Sequence, residues 1–408
     1  MVTDRFGYRT SGYEDYTDMN HTLPPTFEMT NYSYCDLEDF RTHYQKHIHG
    51  YLSLTVCIFG SLANIFNICV LRTKHMRSPT NYILTGLAIA DLLVMLEYIP
   101  FTIHRNLPPN PLYYSHFSYS WAIYYKFHAS FTLILHFIAC CLTILLAIWR
   151  YVFVSRLQAS KICSDETTTV ICIMLTYLAC SLVCCPMIPF LKIITYEQRC
   201  DRTGIIIENK DSYKYNSSEF YNYTIYLLSP NDPLKLSVWV YSVLLKLVPC
   251  ALLTVLSYKI ISALIETRRR RLKLLGCNME AMEKNTKSHT IQLYKENQSD
   301  RTTKMLLAVL ILFLVTEFPQ GILGQISALK GDVFLKECYN SLGEIMDILA
   351  LINSSINFIL YCTMSRQFRV TFEEMFRIKA ITNWFYMKRT SNRNLQEEHA
   401  VETKTSLV

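Results

Sequence analysis

The sequence predicts an all-α membrane protein: a seven-transmembrane helix bundle with a short amphipathic membrane-surface helix after the last span. Three observations predict it. Of 408 residues, 51% are hydrophobic and only 18% charged, more apolar than one soluble core of that size uses. Seven apolar runs recur along the chain, each about 20 residues or more, the length that crosses a bilayer as helix. The bases that leave a net charge of +7 cluster in short segments between those runs, a pattern of membrane orientation and not of nucleic-acid binding. Fifteen cysteines do not mark a disulfide scaffold, because most lie inside apolar runs as small packing residues.

Residues 1–48 hold eight acids against four bases, a net of −4, and read as a disordered segment outside the cell. Glycosylation sequons at Asn20 and Asn31 agree with that side, as do Asn216 and Asn222 in a later polar loop. No basic stretch followed by a short apolar one opens the chain, so span 1 is expected to do the targeting. The transmembrane domain covers 49–363, and polar side chains inside it should face the bundle interior and mark function.

Span 1 (49–72) carries Asn64 and ends in the basic connection RTKHMRSP, which places that end in the cytoplasm. Span 2 (79–104) carries Asp91 and, nearer the outside, Glu97. Span 3 (121–155) holds His128, Thr132 and His136 and ends at Trp149, Arg150 and Tyr151. Span 4 (167–192) breaks at Pro186 and Pro189, and a polar outer loop with Cys200 leads to span 5 (236–262), with Lys246 and Pro249. The loop 267–301 is cytoplasmic: from 267 to 304 there are ten bases against four acids, a net of +6. Span 6 (302–329) contains Glu317, Pro319 and Gln320. Span 7 (341–363) contains Glu344, Asp347, Asn353, Asn357 and Tyr361. Residues 365–379 set Phe368, Phe372, Met375 and Phe376 at helical spacing among bases, the pattern of a helix lying on the inner membrane surface. A cytoplasmic tail, 380–408, follows. The amino end is then outside and the carboxyl end inside, in the plasma membrane.

These landmarks resemble the rhodopsin-like G-protein-coupled receptors. Asn64 in GSLAN, Asp91 in LAIAD, Arg150 in WRY, Pro249, Pro319, and Asn357 with Tyr361 in NFILY fall in register across about 330 residues. Trp149 stands where that family usually has an acid, Glu317 where it has a tryptophan, and Phe358 where it has a proline. WRY, TEFPQG and LINSSINFILYC together look like the branch of receptors for myosuppressin and FMRFamide-like neuropeptides. The resemblance implies a receptor, not an enzyme, that couples peptide binding at the outer face to heterotrimeric G proteins, commonly the inhibitory class. Arrestin and receptor kinases are implied as further partners.

Peptides of that branch end in an arginine and an amidated aromatic, so their pocket needs buried anions among aromatic walls. Glu97, Glu317, Glu344 and Asp347 supply anions, with His128, Thr132, His136 and Gln320 beside them. A carboxylate takes an arginine through two parallel hydrogen bonds. Asp347 and Glu344 are the stronger ligand candidates, whereas Glu317 has a second reading as the structural partner of Lys246. Asp91, Asn64, Asn353 and Asn357 resemble the family's sodium and water site. Arg150 resembles the arginine that meets the G protein when span 6 swings out, with Asp300 a substitute for the missing acid at Trp149. The family's usual disulfide joins span 3 to the second outer loop. Cys200 offers one half, yet the top of span 3 has no cysteine; Cys35 and Cys338 are the other outer cysteines, and the pairing stays open. The end, TSLV, matches a PDZ ligand through Ser406 and Val408.

Other readings are a receptor for an unrelated peptide, or an ion or solute transporter using Glu317 and Lys246. Against the transporter stand the lack of an internal repeat and of paired broken helices.

Overall fold

A computed structural model describes residues 35, 37–107, 114–155, 165–200, 221–230, 241–278, 286–330 and 334–376. Seven helices are long and apolar enough to cross a membrane. They are Gly50–Leu71, Pro79–Asn106, Tyr119–Ser155, Glu166–Cys184, Val248–Asn278, Thr286–Lys330 and Asn340–Met364, spans 1 to 7. Helix is the form that satisfies every backbone polar group within its own segment, which hydrocarbon demands.

Start signals are local where they exist. Ser78 precedes Pro79 at the first turn of span 2 and accepts from the Asn81 amide, a cap whose following proline has no amide to satisfy. Asp165 caps span 4 through the Thr168 amide at 2.8 Å, and hydrogen bonds from Thr168 hold its carboxyl below the ordinary carboxylate range. Ser365 ends span 7 and caps the surface helix Arg366–Met375. Arg369 turns back to donate to the carbonyls of Cys362 and Thr363, at 2.8 and 2.9 Å, satisfying groups the end of span 7 leaves open.

One apolar cluster runs through spans 1, 2, 3, 4, 6 and 7, and a second joins spans 3, 5 and 6. Gly60 lets spans 1, 2 and 7 meet: a Cβ there would lie 2.9 Å from both Met95 Sδ and Ser355 Cβ. Large apolar side chains left outward, such as Met174, Leu178 and Leu182 on span 4, face where lipid would be. The surface helix is seated by rings: Phe372 and Phe376 lie 5.6 and 5.0 Å from Phe66 of span 1, and Phe358 packs on Phe372 at 5.3 Å.

Four features depart from the sequence reading. Residues 38–49, assigned almost wholly to a disordered segment, form a helix, Glu38–Tyr44, and a π-helical turn, Gln45–His49, because tertiary contacts hold them. The polar loop between spans 4 and 5 contains an antiparallel hairpin, β1 (Leu191–Cys200) on β2 (Tyr221–Pro230), added to the all-α bundle. Its inner face buries Cys200, Ile225 and Leu227. The basic loop 267–301 is largely continued helix, through Asn278 and again from Thr286, since a helix started in the membrane propagates cheaply through good helix formers. The described part of span 5 opens with a π-helical turn, Tyr241–Leu247; the start expected at 236 lies outside the described residues, as do Asn20, Asn31, Asn216, Ser406 and Val408. Asn222 is exposed on β2.

Candidate functional site

The polar residues of the spans gather at three levels, running from the hairpin end of the bundle to the opposite, Arg150 end.

At the hairpin end Glu97 of span 2 meets span 3. His128 Nδ1 lies 2.6 Å from its Oε2, and the Thr132 hydroxyl donates to its Oε1. Tyr124 donates to the Glu97 carbonyl at 2.6 Å. Aromatic rings pack on its imidazole partner, with Phe101 stacked on His128 at 3.8 Å and Tyr98 edge-on to His128 at 5.3 Å. Predicted Glu97, His128 and Thr132 therefore form one constellation. Tyr124 and Phe101 went unnoticed in the sequence because aromatics at helical spacing read as ordinary packing.

Glu344 of span 7 is held from the other side. Gln45 donates to its Oε1 at 2.8 Å, and His49 Nε2 stands 3.1 Å from its Oε2. The disulfide Cys35–Cys338, with a Cα–Cα distance of 5.5 Å, ties the N-terminal helix to the segment before span 7. Of the three cysteines left open by sequence, these two pair; Cys200 lies buried in the hairpin instead.

Deeper in the bundle, Lys246 of span 5 and Glu317 of span 6 form an ion pair; both are buried, 3% and 2% exposed. Its structural reading is the one the geometry supports. His136 lies within electrostatic range of both, and Gln320 is half-buried three residues along from Glu317. The pair sits beside Pro249 and Pro319, where each helix lacks a backbone hydrogen bond.

Asp347 differs from these acids. It is half-buried on the helix face shared with Glu344, and it has no hydrogen bond or ion pair to any described residue. It feels the charges of Glu344, Lys246 and Arg105 without touching them. A carboxylate with no partner among the described residues, within electrostatic range of Tyr98 and Tyr44, suits a cationic group.

At the third level the Asn357 amide donates to Asp91 at 3.1 Å, and Ser354 hydrogen-bonds Asp91 as well. Asn64 donates to the Ser354 carbonyl at 2.9 Å. The sequence reading named Asn353 here, and the structure puts Ser354 in its place, since one residue turns a helix by about 100°. Asn353 makes no hydrogen bond among the described residues. Tyr361 is fully buried against Phe368 at 5.6 Å. No acid among the described residues pairs with Arg150, and its Nε is buried without a partner, as is Trp149 Nε1. The side chain of Asp300 lies outside the described set.

A sequence profile for the family described as "Serpentine type 7TM GPCR chemoreceptor Srw" matches residues 51–379. The chain is 31% identical over 351 residues to the "G-protein coupled receptor dmsr-1" of Caenorhabditis elegans, covering 81% of this chain and 68% of that protein. It is 27% identical over 386 residues to the "Sex peptide receptor" of Drosophila melanogaster, covering 91% and 82%. It is 23% identical over 330 residues to the "FMRFamide receptor" of the same fly, covering 79% and 52%.

Proposed function

We infer that this chain, which belongs to the serpentine seven-transmembrane G-protein-coupled receptor family, answers an amidated RF-type neuropeptide of the myosuppressin or FMRFamide-like class. It is a multi-pass, rhodopsin-like peptide receptor and not an enzyme. The names of its relatives, one of them an FMRFamide receptor, support the ligand class.

The observation that carries the reading is Asp347. Glu97, Glu317 and Glu344 each have a partner on another element, whereas Asp347 has none among the described residues, so it is the acid assigned to the ligand's arginine. The aromatic group Tyr98, Phe101 and Tyr124 beside Glu97 suits the amidated aromatic end. Peptide contact with this layer bears on the Lys246–Glu317 pair and on the two proline-weakened helices that carry it. Their movement would expose Arg150 to a heterotrimeric G protein of the inhibitory class. Asp91 and Ser354 offer the oxygen atoms a small hard cation takes and would hold a sodium ion, whose charge would offset that of the buried carboxylate. The amino end faces outside at the plasma membrane and the tail faces inside, there meeting arrestin, receptor kinases and, through Ser406 and Val408, a PDZ scaffold.

The test is G-protein activation in cells by amidated and free-acid RF peptides, on the wild type and on Asp347→Asn. Amidated peptides activate the wild type, and the substitution lowers potency roughly 10- to 150-fold, the worth of a charged hydrogen bond of about 1.5–3 kcal/mol. Unchanged potency in Asp347→Asn would move the arginine elsewhere, and silence of the surface-expressed wild type would reject the ligand class.

A further inference from the structure

We propose that His104 and His116 form a binding site for a zinc-class divalent cation that bridges the outer end of span 2 to the turn before span 3. His104 lies in the last turn of span 2, and His116 in the 3-10 turn Tyr114–Phe117. His116 Nδ1 is 3.1 Å from His104 Nε2. Two imidazole nitrogens on one tetrahedral zinc, each 2.0–2.1 Å from the metal, are separated by roughly 3.3 Å. The two nitrogens are thus within a few tenths of an ångström of ligand spacing before any metal arrives.

The surroundings of His104 fit the same role. Its other nitrogen, Nδ1, is 2.7 Å from the Tyr125 hydroxyl. With the proton on Nδ1 donated to Tyr125, the Nε2 lone pair faces His116. A hydrogen-bond partner on the far nitrogen is what fixes the tautomer and orientation of a ligating histidine. Trp121 stacks on the His104 ring, 3.4 Å between centroids and 17° between planes, so the ring is held before binding. Zinc replaces the single proton now shared between Nε2 of His104 and Nδ1 of His116; neutral His116 then carries its proton on Nε2, and no proton leaves the protein.

Among the described residues no three of His, Cys, Asp and Glu converge on a metal position, so the two imidazoles are the ligands proposed, with water to fill the remaining positions. Two protein ligands are fewer than the four of a closed structural zinc site. Imidazole donors select zinc, copper or nickel over calcium and magnesium. The site would act on the ligand pocket through short steps: Tyr125 packs edge-on to Phe101 at 5.6 Å, and Phe101 stacks on His128, the partner of Glu97.

Thermal unfolding of the full-length purified receptor, with zinc, calcium or magnesium added alone, tests the site. Saturating zinc should raise the melting temperature by about 2–4 °C, while calcium and magnesium should not. His104→Gln and His116→Gln should each abolish the shift. Tyr125→Phe keeps both ligands and should require roughly 10–100 times more zinc for the same shift. No zinc shift in the wild type, or an equal shift in both histidine variants, would overturn the proposal. Should one histidine variant fail to fold, the zinc dependence of Tyr125→Phe still decides: unchanged sensitivity counts against the site.

Discussion

Replacing Lys246 by methionine would strand the Glu317 carboxylate in the bundle interior. Losing one partner of a buried pair costs about 3–5 kcal/mol, whereas replacing both by apolar groups of similar volume is often neutral. Lys246→Met should therefore lower the unfolding temperature of the purified receptor, and Lys246→Met with Glu317→Leu should recover most of the loss. A double variant as unstable as the single one would show that the pair is not the source. At this scale the sequence was informative about which groups are unusual. Asp91, Glu97, Glu317 and Asp347 stood out because charge inside a hydrocarbon-length helix is costly. It did not tell Ser354 from Asn353 around Asp91, because neighbouring residues differ only in which way the helix turns them.

Among the elements, the N-terminal helix was the least legible. It lies within 1–48, a polar and acidic segment whose composition reads as solvated chain, yet a disulfide and two contacts to Glu344 order it. Cys35→Ser removes the covalent tie while leaving those contacts, so backbone amides of 38–49 should exchange hydrogen faster while those of spans 2 and 3 do not change. Mass-spectrometric hydrogen exchange checks this, and unchanged protection of 38–49 would show that the noncovalent contacts suffice. The hairpin did leave a signal. Tyr223, Ile225 and Leu227 alternate along β2, a half-buried strand pattern, hidden in a loop that looked polar overall. The surface helix, by contrast, was legible from Phe368, Phe372 and Phe376, although only the fold shows that Phe66 of span 1 receives it.

Across the whole molecule the Glu97–His128 level and the Arg150 end are joined by span 3, on which spans 5 and 6 pack. Arg150 makes no structural ion pair among the described residues, so Arg150→Ala should leave peptide binding near wild type and abolish receptor-driven nucleotide exchange on the G protein. Parallel measurements of peptide binding and exchange test this. Loss of both would mean that Arg150 holds the fold, and retained exchange would move the contact elsewhere.

By itself the sequence determined the seven spans, their polar landmarks and the family, since hydrophobic run length, local charge and short motifs are properties of contiguous residues. Only the tertiary structure decided which acids pair with another described residue and which does not. Gln45 reaches Glu344 across 299 positions, and Lys246 reaches Glu317 across 71. Such pairings depend on distances set by helix packing, and no local pattern in the chain encodes them.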